Sequence, residues 1–185
     1  MTENLSRIEW PTHYSFAELL SRLQSQPSYA PVFIFEHFNY LDVAGCTLNA
    51  KDLFFANFYR ANLREADLVF CFLRNANFAE ANLQDAELAE ANLVAANLTN
   101  ADLFNADLSE AKLESADLSG ADLSESHLSD ADLSGIVFNA ETKFAGATVG
   151  ALLIENNEQM HNILKSAYAG TQDSLPQINS EEDGE

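Results

Sequence analysis

Basic residues are scarce in this 185-residue chain. Nine Lys and Arg stand against 29 Asp and Glu, a formal charge of −20. Such an imbalance opposes contact with nucleic acid or an anionic membrane, and favours proteins with basic surfaces. Cysteine is nearly absent: Cys46 and Cys71 are too few for a disulfide framework or a zinc cluster, which fits a reducing compartment. No apolar run is long enough to span a bilayer, and the opening MTENLSRIEWPTHYSF has no signal-peptide core, so the expected location is cytoplasmic. Motifs that carry chemistry are missing too. His13, His37, His127 and His161 have no metal-ligand spacing, and there is no phosphate loop, serine triad or HExxH. No enzyme activity, metal or cofactor is expected.

What the chain has is a repeat. From Phe38, stepping by five residues to Phe138, the 21 positions hold 16 Leu, 4 Phe and 1 Val. We call this position the centre. Two residues earlier, the 16 repeats from Ala56 to Ala131 carry Ala 14 times, with Cys71 and Ser126 as exceptions. Between them Asn or Asp stands in 12 of those 16, and the two positions after the centre vary. A five-residue step turns an α-helix by roughly 140°, so the leucines would form no stripe. In a plain strand the same odd step would alternate faces. A short extended piece followed by a corner satisfies the pattern. Ala and Leu then point inward, Asn or Asp points outward, and the variable pair, often Ser, Gly, Asn or Asp, turns the corner.

Units such as Ala61-Asn62-Leu63, Ala101-Asp102-Leu103 and Ala121-Asp122-Leu123 resemble those of the pentapeptide-repeat proteins. The resemblance implies an all-β solenoid, a right-handed four-sided β-helix in which four repeats make one coil. About five coils would form a rod of roughly 24 Å. Solenoids need capped ends. Ser15 and Glu18 form a capping box before the helically spaced Phe16, Leu19, Leu20 and Leu23, and Pro31 to Phe35 reads as a strand entering the first coil. Met160, Ile163, Leu164 and Ala167 form a second apolar stripe. The expected organisation is an arm and capping helix over 1–32, the β-helix over 33–150, a capping helix over 151–170 and an acidic disordered tail over 171–185. Phe138 to Phe144 spans six residues, a one-residue insertion.

Dealing successive repeats onto four faces separates the charges. Face A (Val43, Leu63, Leu83, Leu103, Leu123) carries Asp42, Glu65, Asp85, Asp102, Asp122 and Glu125 against Arg64, net −5. Face B (Leu48, Leu68, Leu88, Leu108, Leu128) carries Asp67, Glu87, Glu90, Asp107, Glu110 and Asp130 with no base, net −6. Face C (Leu53, Leu73, Leu93, Leu113, Leu133) balances three acids with three bases, and face D (Phe38, Phe58, Phe78, Leu98, Leu118, Phe138) is net −2. Eleven charges over roughly 24 Å give about one per 2.2 Å, against about one per 1.7 Å of duplex DNA axis. The resemblance adds that some family members mimic DNA and bind topoisomerases such as DNA gyrase.

Two uses of the surface follow. The acidic faces suit a protein partner with a basic surface, and a DNA mimic acting on a topoisomerase is the alternative. Phe54, Phe55, Tyr59, Val69, Phe70 and Phe72 also occupy outward slots, which implies either a docked N-terminal helix or an intermolecular, homodimeric interface. The far-ultraviolet circular dichroism of the full chain should be dominated by β-structure, and a helix-dominated spectrum refutes the solenoid.

Overall fold

A computed structural model describes residues 41–149. The expected arm, both capping helices, the acidic tail, Phe38, His13, His37 and His161 lie outside those residues. Within them each outward-slot residue forms a parallel bridge with the slot residue one coil further on. Asp42 pairs with Asn62, Asn62 with Asn82, Asn82 with Asp102, and Asp102 with Asp122. The offset is 20 residues in every bridge up to Asp117↔Val137, so four repeats close one coil. It becomes 21 at Asp122↔Lys143 and in the parallel pair of β1 (His127–Leu128) with β2 (Thr148–Val149). The insertion between Phe138 and Phe144 is thereby absorbed. Side chains hold it: Asn139 Oδ1 and Thr142 Oγ1 both accept from the Gly120 N–H, at 2.9 and 3.1 Å.

The ladder uses the backbone of each repeat in the same way. Glu87 N–H donates back to the Ala66 carbonyl at 2.9 Å, and Leu88 N–H donates forward to the Asp107 carbonyl at 2.7 Å. Glu90 N–H donates forward to Ser109 at 2.9 Å, and Ala91 N–H closes the corner on Leu88 at 3.0 Å. Four of five N–H groups are thus bonded through the main chain. The corner bond spans a β-turn whose third residue has positive φ, the signature of a type II turn. From Gly45 to Gly135 every corner repeats this, and only three of those corner residues are glycine (Gly45, Gly120, Gly135). The rest include Ala50, Phe55, Arg60, Phe70 and Glu90, at φ 52–61°.

Inside, the centre residues from Val43 to Leu128 are 0–1% exposed and the Ala column is equally buried. Each coil fills its section with four large and four small side chains, which is how a narrow tube reaches interior packing density. Phe58 and Phe78 stack on face D with centroids 4.8 Å apart and planes 5° apart, matching the spacing between paired strands. Cys46 and Cys71 occupy Ala positions, as the periodicity implies, at 5% and 0% exposure. Burial pushes the Cys46 thiol up to about 11 and the Cys71 thiol up to about 12, and Cys71 Sγ donates to the Leu48 carbonyl at 2.9 Å. Both remain thiols at neutral pH.

A left-handed backbone costs an L-residue about 1–2 kcal/mol, while glycine loses about 0.5–1 kcal/mol to unfolded-state entropy. Ala95 is exposed at such a corner, with φ 56°. Ala95→Gly should therefore raise the unfolding free energy by up to about 1 kcal/mol, and Ala95→Val should lower it by more than 1 kcal/mol. Urea titration followed by circular dichroism measures both; a Val variant as stable as the parent would contradict this account of the corner.

Candidate interaction surfaces

The fifth N–H, on the first corner residue, finds its partner in a side chain in most repeats. At 14 corners Oδ1 of the preceding Asn or Asp accepts it, at 2.9–3.3 Å: Asp42 to Ala44, Asn57 to Tyr59, Asp67 to Val69, Asp107 to Ser109 and Asp122 to Ser124 among them. Asn and Asp make this turn readily, Ser and Thr more weakly. Where the slot holds Thr47, Phe72, Glu87, Lys112 or His127, the described residues show no such bond. On face D the slot amides also ladder, Asn77 Nδ2 to Asn57 Oδ1 at 2.9 Å and Asn97 Nδ2 to Asn77 Oδ1 at 3.1 Å. The local sequence signal is present, since Asx turns have a known signature, but outward direction alone explained these residues and their capping role was missed.

Capping divides the acids into two groups. Asp67, Asp102, Asp107 and Asp122 are half-buried slot residues that the backbone requires, and Asn would serve as well. Glu65, Asp85, Glu90, Glu110, Glu125 and Asp130 cap nothing of this kind. They occupy left-handed corners, at φ 56–61°, where glycine or asparagine is the easier choice. Glu65, Asp85 and Glu125 run along the corner between faces A and B; Glu90, Glu110 and Asp130 run along the corner between B and C. Face B, with Asp67, Glu87 and Asp107 down its middle, is therefore framed by acidic edges.

The two edges differ. Arg64 pairs with Asp85 at 3.0 Å and with Glu65 at 3.3 Å. Asn105 and Arg64 together hold the Asp85 carboxyl below its usual range. Among the described residues no cation pairs with Glu90, Glu110 or Asp130. The remaining ion pairs lie elsewhere, Arg60 with Glu80 at 2.6 Å and Lys143 with Asp122 at 2.7 Å. His127 caps the slot column of face B, exposed, its Nδ1 3.3 Å from Thr148 Oγ1. Among the described residues no group of His, Cys, Asp or Glu is placed to hold a metal ion, and no helix is long and apolar enough to cross a membrane.

The aromatic residues separate in a similar way. Phe54, Phe55, Phe70 and Phe72 gather around face C in the first two described coils, 42–53% exposed, with the Phe54 and Phe55 rings 4.2 Å apart, edge to face. Tyr59 stands at the next corner, between faces D and A. Its hydroxyl donates to Glu80 Oε1 at 3.1 Å and Arg60 lies over its ring at 5.1 Å, so it belongs to that ion-pair cluster. Val69 is half-buried. The amphipathic segment expected to cover this patch lies outside the described residues.

A family model described as pentapeptide repeats matches in eight copies, over residues 56–93, 81–120 and 101–139. Among solved structures the chain is similar to a pentapeptide repeat protein of Nostoc PCC 7120, 36% identical over 50% of this chain and 84% of that one, with TM-score 0.35. A second, from the cyanobacterium Cyanothece 51142, is 31% identical over 50% of this chain, with TM-score 0.41. A third, from the thylakoid lumen of Arabidopsis thaliana, is 27% identical over 60% of this chain, with TM-score 0.45. The chain spans 63% of the Cyanothece protein and 62% of the Arabidopsis one. No curated protein matches it.

The two groups of acids predict opposite responses. Asp107→Ala should cost about 1 kcal/mol through its lost cap, whereas Asp107→Asn should not. Glu110→Gln should leave stability unchanged or raise it, since it relieves like-charge stacking. Urea unfolding of the three variants checks this, and equal losses for Asp107→Ala and Asp107→Asn would show that charge, not capping, holds the slot.

Proposed function

Because the chain belongs to the pentapeptide-repeat family, whose repeats cover residues 56–139, we propose that it is a non-catalytic scaffold that binds another protein through acidic face B and its two edges. One observation carries this reading: four glutamates, Glu65, Glu90, Glu110 and Glu125, stand at left-handed corners where neither capping nor backbone conformation asks for them, joined there by Asp85 and Asp130. Glu90, Glu110 and Asp130, with no cation among them, repel one another along their column, so stability alone does not select them. A partner with a basic surface supplies the missing counter-charge. Its approach would be steered over the Debye length, about 8–10 Å at physiological salt. The Glu90–Glu110–Asp130 edge contributes most, having no internal cation to displace.

A second reading makes that partner a DNA-binding protein, such as a topoisomerase of the gyrase type, for which face B stands in for a duplex. Its support is charge density, since face B together with adjacent face A carries about one net charge per 2.2 Å along the rod against about one per 1.7 Å of DNA. In either case the chain does not bind nucleic acid itself.

Affinity capture from native extract should recover proteins that elute between about 0.1 and 0.5 M salt. The variant Glu90→Gln/Glu110→Gln/Asp130→Asn, folded by circular dichroism, should recover none of them. If it captures the same set, the acidic edge is not the binding surface. Inhibition of gyrase supercoiling at micromolar concentration would select the second reading, and no effect would exclude gyrase.

A further inference from the structure

Face C is built differently from its neighbours. Its charges balance, it carries most of the exposed aromatic area, and its exposed cations Arg74 and Lys112 form no ion pair among the described residues, although Arg60, Arg64 and Lys143 elsewhere all do. The order of residues along its columns is also suggestive. The first corner column reads Phe54, Arg74, Val94, Glu114, Ser134, and the second Phe55, Asn75, Ala95, Ser115, Gly135. The slot column reads Asp52, Phe72, Asn92, Lys112, Asp132. Arg74 and Glu114 are two coils apart, roughly 10 Å, with Val94 between them, and they do not pair within the chain.

We propose that face C is a two-fold, antiparallel self-association surface. An axis through the level of Asn92 and Val94, across the rod, exchanges the second coil with the fourth and the first with the fifth. Arg74 then meets Glu114 of the second copy, and Phe72 meets the stem and ammonium of the second copy's Lys112, a cation–π arrangement. Phe54 and Phe55 lie over Ser134 and Gly135 of the second copy, the largest corner of the face against the smallest. Each contact occurs twice, as an isologous interface requires. Asp52 facing Asp132, and Glu90 facing its own copy at the corner, stay at the rim, where solvent screens them.

Charge decides the occupant. Two chains of net −20 repel across faces A and B. Face D keeps its pair Arg60–Glu80 satisfied internally. Face C offers aromatic area with balanced charge, and Arg74, which forms no ion pair among the described residues, to receive a second copy's Glu114. The dimer leaves face A on the far side and face B at the flank, so it goes beyond the scaffold reading and shares with it only the Glu90–Glu110–Asp130 edge at the rim. A face about five coils tall is small beside the ~800 Å² per partner of a standard interface, so association should be micromolar.

Sedimentation velocity of the full chain from about 5 to 300 µM should show a monomer–dimer equilibrium. Arg74→Glu should weaken it at least about tenfold, as should Glu114→Arg, because each replaces two attractive pairs with two repulsive ones. The double swap Arg74→Glu/Glu114→Arg should restore association to within about threefold, a rescue that general destabilisation cannot produce. Phe72→Ser should weaken it without rescue. All three sites are exposed, and circular dichroism verifies folding. A monomer at every concentration overturns the proposal and assigns the patch to the N-terminal segment or another protein. A dimer that the single charge reversals leave intact, or that the double swap does not restore, overturns it equally.

Discussion

Everything about this molecule follows from the need to satisfy five backbone N–H groups in every five-residue unit. Two are used between coils at the flat side, one between coils at the corner, and one across the turn. The fifth points out at the corner, where no main-chain carbonyl accepts it, and at 14 described corners a side chain does. Asn and Asp have the length to do so two residues back along the chain. That single deficit explains why the outward slot is so uniform, and why any such chain drifts toward negative charge wherever Asp is used instead of Asn. A net charge of −20 is therefore partly a by-product of hydrogen bonding.

The corner sets a second constraint. Its third residue is left-handed in every described repeat up to Gly135, so β-branched side chains are sterically excluded there. None occurs at that position, while Val69, Val94 and Thr99 sit one residue earlier, where φ is ordinary. Within this restriction Gly, Asn and Asp carry the least cost. Glu90 and Glu110 are not among them, which is why their presence carries more functional weight than the Asp residues of the slot. Asp67, Asp102, Asp107 and Asp122 belonged to the acidic faces by count, and the structure gives each a backbone duty that charge alone does not explain.

Much of the fold was legible because a solenoid writes its geometry in its period. The inward columns, the Ala positions of Cys46 and Cys71, and the extra residue between Phe138 and Phe144 could be read from spacing. Four repeats per coil could not; the number came from resemblance and is fixed by bridges 20 residues apart. Surface relations were harder, because the period says which residues face out but not what they touch. Tyr59 looked like part of one aromatic patch with Phe54, yet one corner separates them and its hydroxyl is committed to Glu80. Pairings such as Arg64 with Asp85 depend on neighbours 21 positions away, invisible until the coil is closed.

Closing the coil also separates stability from recognition. Core and ladder are repetitive and nearly saturated, so a face can change its slot and corner residues at a cost of one cap or one turn, without disturbing the others. Charge then sorts what each face can meet. On the proposed reading a basic protein is drawn to face B, where the edge Glu90–Glu110–Asp130 has no ion pair among the described residues. The same charges oppose a second copy on that side, which is why the proposed self-association is assigned to the face whose charges balance. The four sides of one rod thus act as electrostatically distinct surfaces, because the hydrogen-bonding rule that builds them leaves their corner residues open to choice.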